Sequence, residues 1–170
     1  HFRRQSGQLV PHGLDLPFVH LPFFHPDREE PASPGGPVKQ RTPPVREPYF
    51  LFAGRLEKLK GMQTLIPVFR RFPAAQLIVA GTGSLEHRFR KLAGDCPTIR
   101  FLGHLPHDEL QELYRSATAV IVPSLYCDIS PLVIIEAVKN RTPVIVRNLG
   151  GMPELVRESG GGMIYNSDDD

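Results

Sequence analysis

Six short apolar runs recur through the chain after residue 48: YFLFAG (49–54), QLIVA (76–80), IRFLG (99–103), AVIVP (119–123), PVIV (143–146) and GMIY (162–165). They are too short for helices and continuously apolar rather than alternating, which marks strands buried on both faces. Strands of that kind need cover on each side. Most of the intervals between them hold a segment of helical period, at 62–72, 85–94, 107–117 and 131–141. The fold class that satisfies both demands is α/β: a Rossmann-like, doubly wound parallel sheet with helices on its two faces. In such a sheet the ligand crevice lies outside the carboxyl ends of the strands, so the loops that follow the strands are where chemistry is to be sought.

The part of the chain before residue 48 reads differently. Residues 26–48 hold seven prolines and two glycines with almost no apolar content, as a linker does, and a boundary is expected near Glu47. Ahead of it, LVPHGLDLPFVHLPFF is broken by Pro and Gly, too short for a domain, and reads as a stub over residues 1–25. The expected organisation is therefore stub, Pro-rich linker over 26–47, and one main domain over 48–170. Composition agrees, since 41% hydrophobic and 22% charged residues suffice for one packed core. A net charge of +2 with scattered basic residues gives no reason to expect nucleic acid or another polyanion. Cys96 and Cys127 are far apart and form no Cys-x-x-Cys, which suggests reduced thiols in a cytoplasmic protein. No apolar run approaches the ~20 residues that cross a bilayer. The opening HFRRQSGQLV has neither a signal-peptide core nor an initiator Met, so the chain is expected to be a piece of a longer one.

The first run opens into AGRLEKLKG (53–61), where a turn at Gly54 is followed by Arg55, Lys58, Lys60 and Gly61. Cations at a strand's carboxyl edge suit an anion: Arg55 by a forked contact and Lys60 as a point charge could balance a diphosphate. Taken alone, a solvated turn explains the same residues. No phosphate-binding Gly-x-x-x-x-Gly-Lys-Ser/Thr array and no Gly-x-Gly-x-x-Gly follow this strand, which argues against nucleotide hydrolysis and dinucleotide redox chemistry. The second run ends in VAGTGSLE, where Gly81 and Gly83 permit close backbone approach to a ligand, or merely a strand-to-helix turn, and Ser84 is placed to cap a helix. The third ends in FLGHLPHDEL, where Gly103, His104 and Leu105 make a small turn able to flank a base, before a helix that His107 or Asp108 begins. The seven histidines show no metal-ligand spacing, and no bound metal ion is expected.

DISPLVIIEAV (128–138) places a carboxylate at each end of an apolar segment. Glu136, inside the apolar run, must find a partner or lose its charge. Ser130 is a good N-cap and Pro131 suits a first helical position, so the helix start is expected to aim free amides into the crevice as an anion site. Glu136 could reach hydroxyl groups at the crevice wall. Asp128 capping a turn and Glu136 pairing with a nearby cation is the plainer alternative.

FAGRLEKLKG, VAGTGS, FLGHLP, VPSLYCDISPLVIIEAV and TPVIVRNLGGMPELV, in that order, resemble the nucleotide-sugar-binding domain of a retaining glycosyltransferase of family 4, with the GT-B fold. The resemblance covers residues 49–165. Its signature is two acidic residues separated by seven, met here by Asp128 and Glu136, with Asp in place of the usual Glu. The resemblance implies that Arg55 and Lys60 bind the donor diphosphate, Glu136 the ribose hydroxyls and Asp128 the transferred sugar. Ser130, Pro131, Leu132 and Val133 would meet phosphate or sugar at the helix start, and Gly103, His104 and Leu105 the base; Gly54, Gly81 and Gly83 complete the donor site. The implied reaction is hexose transfer with retention from a UDP-, GDP- or ADP-linked sugar to a glycan, lipid or small-molecule acceptor. It uses no cofactor and no metal, in a cytoplasmic enzyme with possible peripheral membrane contact. It further implies that residues 1–25 end the acceptor-binding domain, that a closing helix lies beyond Asp170, and that the piece alone does not transfer sugar. A non-catalytic nucleotide-sugar-binding module and a nucleotide-sugar epimerase of related fold stand as alternatives. Where the family often has Gly after the acidic helix this chain has Arg141, which would strain a glycine-type ending, so the helix is expected to end differently.

Overall fold

The computed structural model of the protein describes residues 48–127 and 131–166. Within them, β1 (Tyr49–Ala53), β2 (Gln76–Ala80), β3 (Ile99–Gly103), β4 (Ala119–Val122), β5 (Val144–Arg147) and β6 (Gly162–Tyr165) alternate with α1 (Met62–Arg71), α2 (Glu86–Ala93), α3 (His107–Ser116), α4 (Leu132–Lys139) and α5 (Met152–Ser159). The strands form one sheet in the order β3-β2-β1-β4-β5-β6 with every pairing parallel. This is the doubly wound arrangement expected from the apolar runs, and its order reverses between β1 and β4. There the crossovers leave in opposite directions and open a crevice at the strands' carboxyl ends.

Strand alternation divides the core into two layers. Tyr49, Leu51, Ile78, Val120, Val144 and Val146 face one side, where Tyr114 of α3, Ile134 and Ala137 of α4 and Met152 of α5 cover them. Phe50, Phe52, Leu77, Val79, Ala119 and Ile121 face the other, covered by Leu65, Ile66 and Phe69 of α1 and Phe89 of α2. Period-two burial on both faces is what a continuously apolar strand produces.

Four helices match their expected spans within two residues, but α5 has no counterpart in the sequence reading. Its marks are short: Pro153 in the first turn, Met152 and Val156 one turn apart on the buried face, and Gly160 ending it at φ 61°. One expected cap is absent: Leu85, not Ser84, holds the cap position of α2. Helix α3 begins at His107, one of its two expected starts, and neither helix has a side-chain cap bond. Pro131 occupies the cap position of α4 rather than its first helical position.

Helix α4 ends in the glycine manner despite Arg141. The Arg141 amide donates to the Val138 carbonyl and the Thr142 amide to that of Ala137, both at 2.9 Å, while Arg141 takes φ 60°. These paired bonds need a left-handed residue at that position. Arg141 is the one described non-glycine residue with positive φ.

Candidate functional site

At the switch point the loop after β1 is bonded to the loop after β4. The Leu59 carbonyl, in the 3-10 turn Lys58–Lys60, accepts from the Leu125 amide at 2.8 Å and from Ser124 Oγ at 3.3 Å. Gly61 follows at φ 78°, where a Cβ would lie 1.9 Å from the Pro123 carbonyl oxygen, so only glycine lets the two loops meet. One crevice therefore has the basic β1 loop on one side and, on the other, the β4 loop that leads toward α4.

Arg55 is exposed and pairs with Glu57, also in the β1 loop. A pair between exposed side chains contributes little and is readily exchanged for a better anion. Lys60 is half-buried at the end of the 3-10 turn. Pro131 is buried under the start of α4, Leu132 beside it is 71% exposed, and Val133 packs against the core. The first amides of α4 lack intrahelical acceptors, as in any helix, and carry the positive end of its dipole. Asp128 and Ser130 lie outside the described residues, as does the expected linker over 26–47.

The glycines of the neighbouring loops serve backbone packing. Gly54 donates to the Ala80 carbonyl at 3.0 Å, and a Cβ on Gly81 would come within 2.0 Å of the Gly54 oxygen. A Cβ on Gly83 would come within 2.5 Å of the Leu56 carbonyl oxygen, and the Leu56 amide and carbonyl bond Thr82 and Leu85. Gly81 donates to Gly103 at 2.7 Å, extending the ladder past the strand ends. Gly103 differs: at φ 75° it has open space where a side chain would stand. With exposed His104 and half-buried Leu105 it forms the outer rim on edge strand β3. That rim is two strand spacings from β1, about 10 Å.

Glu136, the fifth residue of α4, stands about 6 Å of helical rise from the helix's first residue. Its partner is not a cation. Tyr114 of α3, fully buried, donates its phenolic hydrogen to Glu136 Oε2 at 2.9 Å. Burial first, and the hydrogen bond to this carboxylate second, push the Tyr114 phenol well above its ordinary range, so it stays a donor across the working pH. Glu136 Oε1 accepts from no donor among the described residues. Two further bonds join α3 to the end of α4: Asn140 Nδ2 donates to Gln111 Oε1 at 2.7 Å, and Thr142 Oγ1 to the Tyr114 carbonyl at 2.5 Å. Sequence reasoning missed Tyr114; its signal was a tyrosine on the apolar face of LQELYRSA, whose hydroxyl had to find an acceptor once buried.

Among the described residues no helix is long and apolar enough to cross a membrane. The sequence matches the family described as "Glycosyl transferases group 1" over residues 38–170. A D-inositol 3-phosphate glycosyltransferase of Corynebacterium efficiens is 32% identical, aligned over 89% of this chain and 42% of its own length. Among solved structures, the sucrose-phosphate synthase of Thermosynechococcus elongatus superposes with a TM-score of 0.63 at 28% identity, covering 74% of this chain and 34% of that one. An Anabaena protein in complex with UDP-glucose shares the fold at a TM-score of 0.60 and 23% identity, over 69% of this chain and 34% of that chain. The chain thus spans less than half the length of these relatives.

Proposed function

The chain belongs to the group 1 glycosyl transferases, and from that premise we propose that it is the donor-binding half of a retaining, family 4 hexosyltransferase that draws on a nucleotide sugar. The observation that supports this reading is the bonding of the β1 loop, which carries Arg55 and Lys60, to the β4 loop through the Leu59 carbonyl. In this reading the diphosphate lies between Arg55, Lys60 and the amides at Leu132 and Val133. The ribose meets Glu136, the base meets the rim at Gly103, His104 and Leu105, and Asp128 holds the transferred sugar.

The bond from the anomeric carbon to the diphosphate breaks as the acceptor oxygen bonds on the same face, and the acceptor's proton passes to the departing phosphate. Negative charge therefore grows on the diphosphate during the step. Arg55, Lys60 and the helix amides meet that charge more strongly in the transition state than in the ground state, as acceleration requires. The fixed cations take the place a metal ion has elsewhere. The acceptor, a glycan or lipid, would be met by a domain outside this chain, in a cytoplasmic enzyme with peripheral membrane contact.

Calorimetric titration of the chain with UDP, GDP and ADP tests the reading. One of them is expected to bind, and Lys60→Ala to weaken it about ten- to a hundredfold, the range of a lost hydrogen bond from a charged group. Failure of all three to bind the unmodified chain, or full affinity in Lys60→Ala, would refute it.

A further inference from the structure

We propose that Tyr114 is a positioning residue for ribose recognition: its hydroxyl, donating to Glu136 Oε2, fixes the carboxylate so that Oε1 is presented to the ribose diol. The inference rests on the assignment of Glu136 to the ribose and adds a residue that itself touches no substrate. A glutamate on a helix turns about three side-chain torsions, and holding it in one geometry costs conformational freedom that a diol alone would have to supply on binding. Here that freedom is already spent before any ligand arrives.

Three features make the Tyr114 bond a suitable anchor. The ring is fully buried in the layer formed with Tyr49, Leu51, Ile134 and Ala137, so the hydroxyl cannot wander. No cation among the described residues pairs with Glu136, so no opposite charge draws the carboxylate away from the Tyr114 hydroxyl. The acceptor bond also uses one carboxylate oxygen alone. Two hydroxyls of a vicinal diol then find Oε1 and the outer lone pair of Oε2, an acceptor-only surface that matches two donors. Tyr114 stands on α3 and Glu136 on α4, and the Thr142 and Asn140 bonds hold those helices together on the same flank.

The test compares a ribonucleoside diphosphate with its 2′,3′-dideoxy counterpart, using whichever of UDP, GDP and ADP binds the unmodified chain. Tyr114→Phe keeps the ring and removes the one oxygen. It is expected to cut the preference for the ribonucleotide by about tenfold, the order of one hydrogen bond to a charged group, while dideoxynucleotide affinity stays unchanged. Glu136→Ala should abolish the preference altogether, and Tyr114→Phe in that background should then have no further effect on it. A second variant, Glu136→Gln, guards against misfolding of the first; it is expected to lose most of the preference with α4 intact. Equal loss for both ligands in Tyr114→Phe, or an unchanged ratio, overturns the positioning role and leaves Glu136 in place. A preference that survives Glu136→Ala overturns the ribose assignment and the positioning role together.

Discussion

Replacing Arg141 by glycine should stabilise the protein, and the size of the gain follows from the end of α4. Arg141 sits at φ 60° between two bonds that require a left-handed residue, its own amide to Val138 and that of Thr142 to Ala137. An L-residue with a Cβ pays about 1–2 kcal/mol for that conformation. Glycine pays none of it, but its greater freedom in the unfolded chain returns about 0.4–1 kcal/mol. The net gain lies between about 0 and 1.6 kcal/mol, centred on about 0.8, which for a chain of this size raises Tm by about 2–3 °C. Arg141 is exposed, so losing its side chain alone should matter little; Arg141→Ala separates the two effects, because it removes the guanidinium and keeps the Cβ. Urea denaturation at constant m-value is the assay. Arg141→Gly should exceed Arg141→Ala by the strain difference, with Arg141→Ala near the parent. A glycine variant no more stable than the alanine variant would refute the claim that α4 ends under backbone strain.

Gly61→Ala should do the reverse: with a Cβ 1.9 Å from the Pro123 oxygen and φ 78°, it is expected to cost about 3 kcal/mol or more or to part the two loops, and unaltered urea stability with unaltered nucleoside diphosphate affinity would contradict this. Stability should also fall at alkaline pH, because burial raises the Tyr49 and Tyr114 phenols above their unfolded value. Above pH of about 10 the unfolded chain then binds fewer protons, so each tyrosine removes about 1.4 kcal/mol per pH unit; Tyr49→Phe should reduce that slope, and a flat stability profile from pH 9 to 11 would count against it. In the intact enzyme, Asp128→Ala is expected to keep nucleoside diphosphate affinity while losing turnover and discrimination between sugars, whereas Glu136→Ala loses affinity for the diphosphate itself. Equal losses of diphosphate binding in the two variants would show that the carboxylates act as one unit.

The sheet was legible in the sequence because its signal is local. Runs such as QLIVA and AVIVP declare burial on both faces within five residues, and a parallel sheet with helices on both of its faces buries them all. Helix α5, no shorter than α2 or α4, was lost because glycines flank MPELVRES on both sides and make it read as loop, with only Met152, Pro153 and Val156 marking its buried face. The glycines of the β1 and β2 loops were visible as glycines, but not the atom each must accommodate. A sequence shows that Gly81 permits close approach; it does not show that the Gly54 carbonyl is what approaches. The partner of Glu136 was hidden for a related reason. It comes from a helix 22 residues earlier, and the search for an opposite charge passed over a neutral hydroxyl whose donor capacity becomes valuable only once buried. Arg141 was flagged as costly, but the expected remedy, a different helix ending, was wrong: the two backbone bonds and Thr142's bond to α3 outweigh the strain of one residue.

That balance bears on how the site works. Among the described residues, the polar ties that bind α4 to α3, from Tyr114 to Glu136, from Asn140 to Gln111 and from Thr142 to the Tyr114 carbonyl, are made at or beyond the fifth residue of α4. Ahead of it the first turn has Pro131 at its cap, no side-chain cap bond, and an exposed Leu132. The helix is therefore fixed by its rear, where a strained residue is tolerated to keep the ending, and its front carries amides with no intrahelical acceptor. A donor diphosphate bound there, as proposed, would meet a dipole whose direction has already been set. Such an arrangement suits the proposed diphosphate site, because a helix held at its rear provides charge alignment without reorganisation.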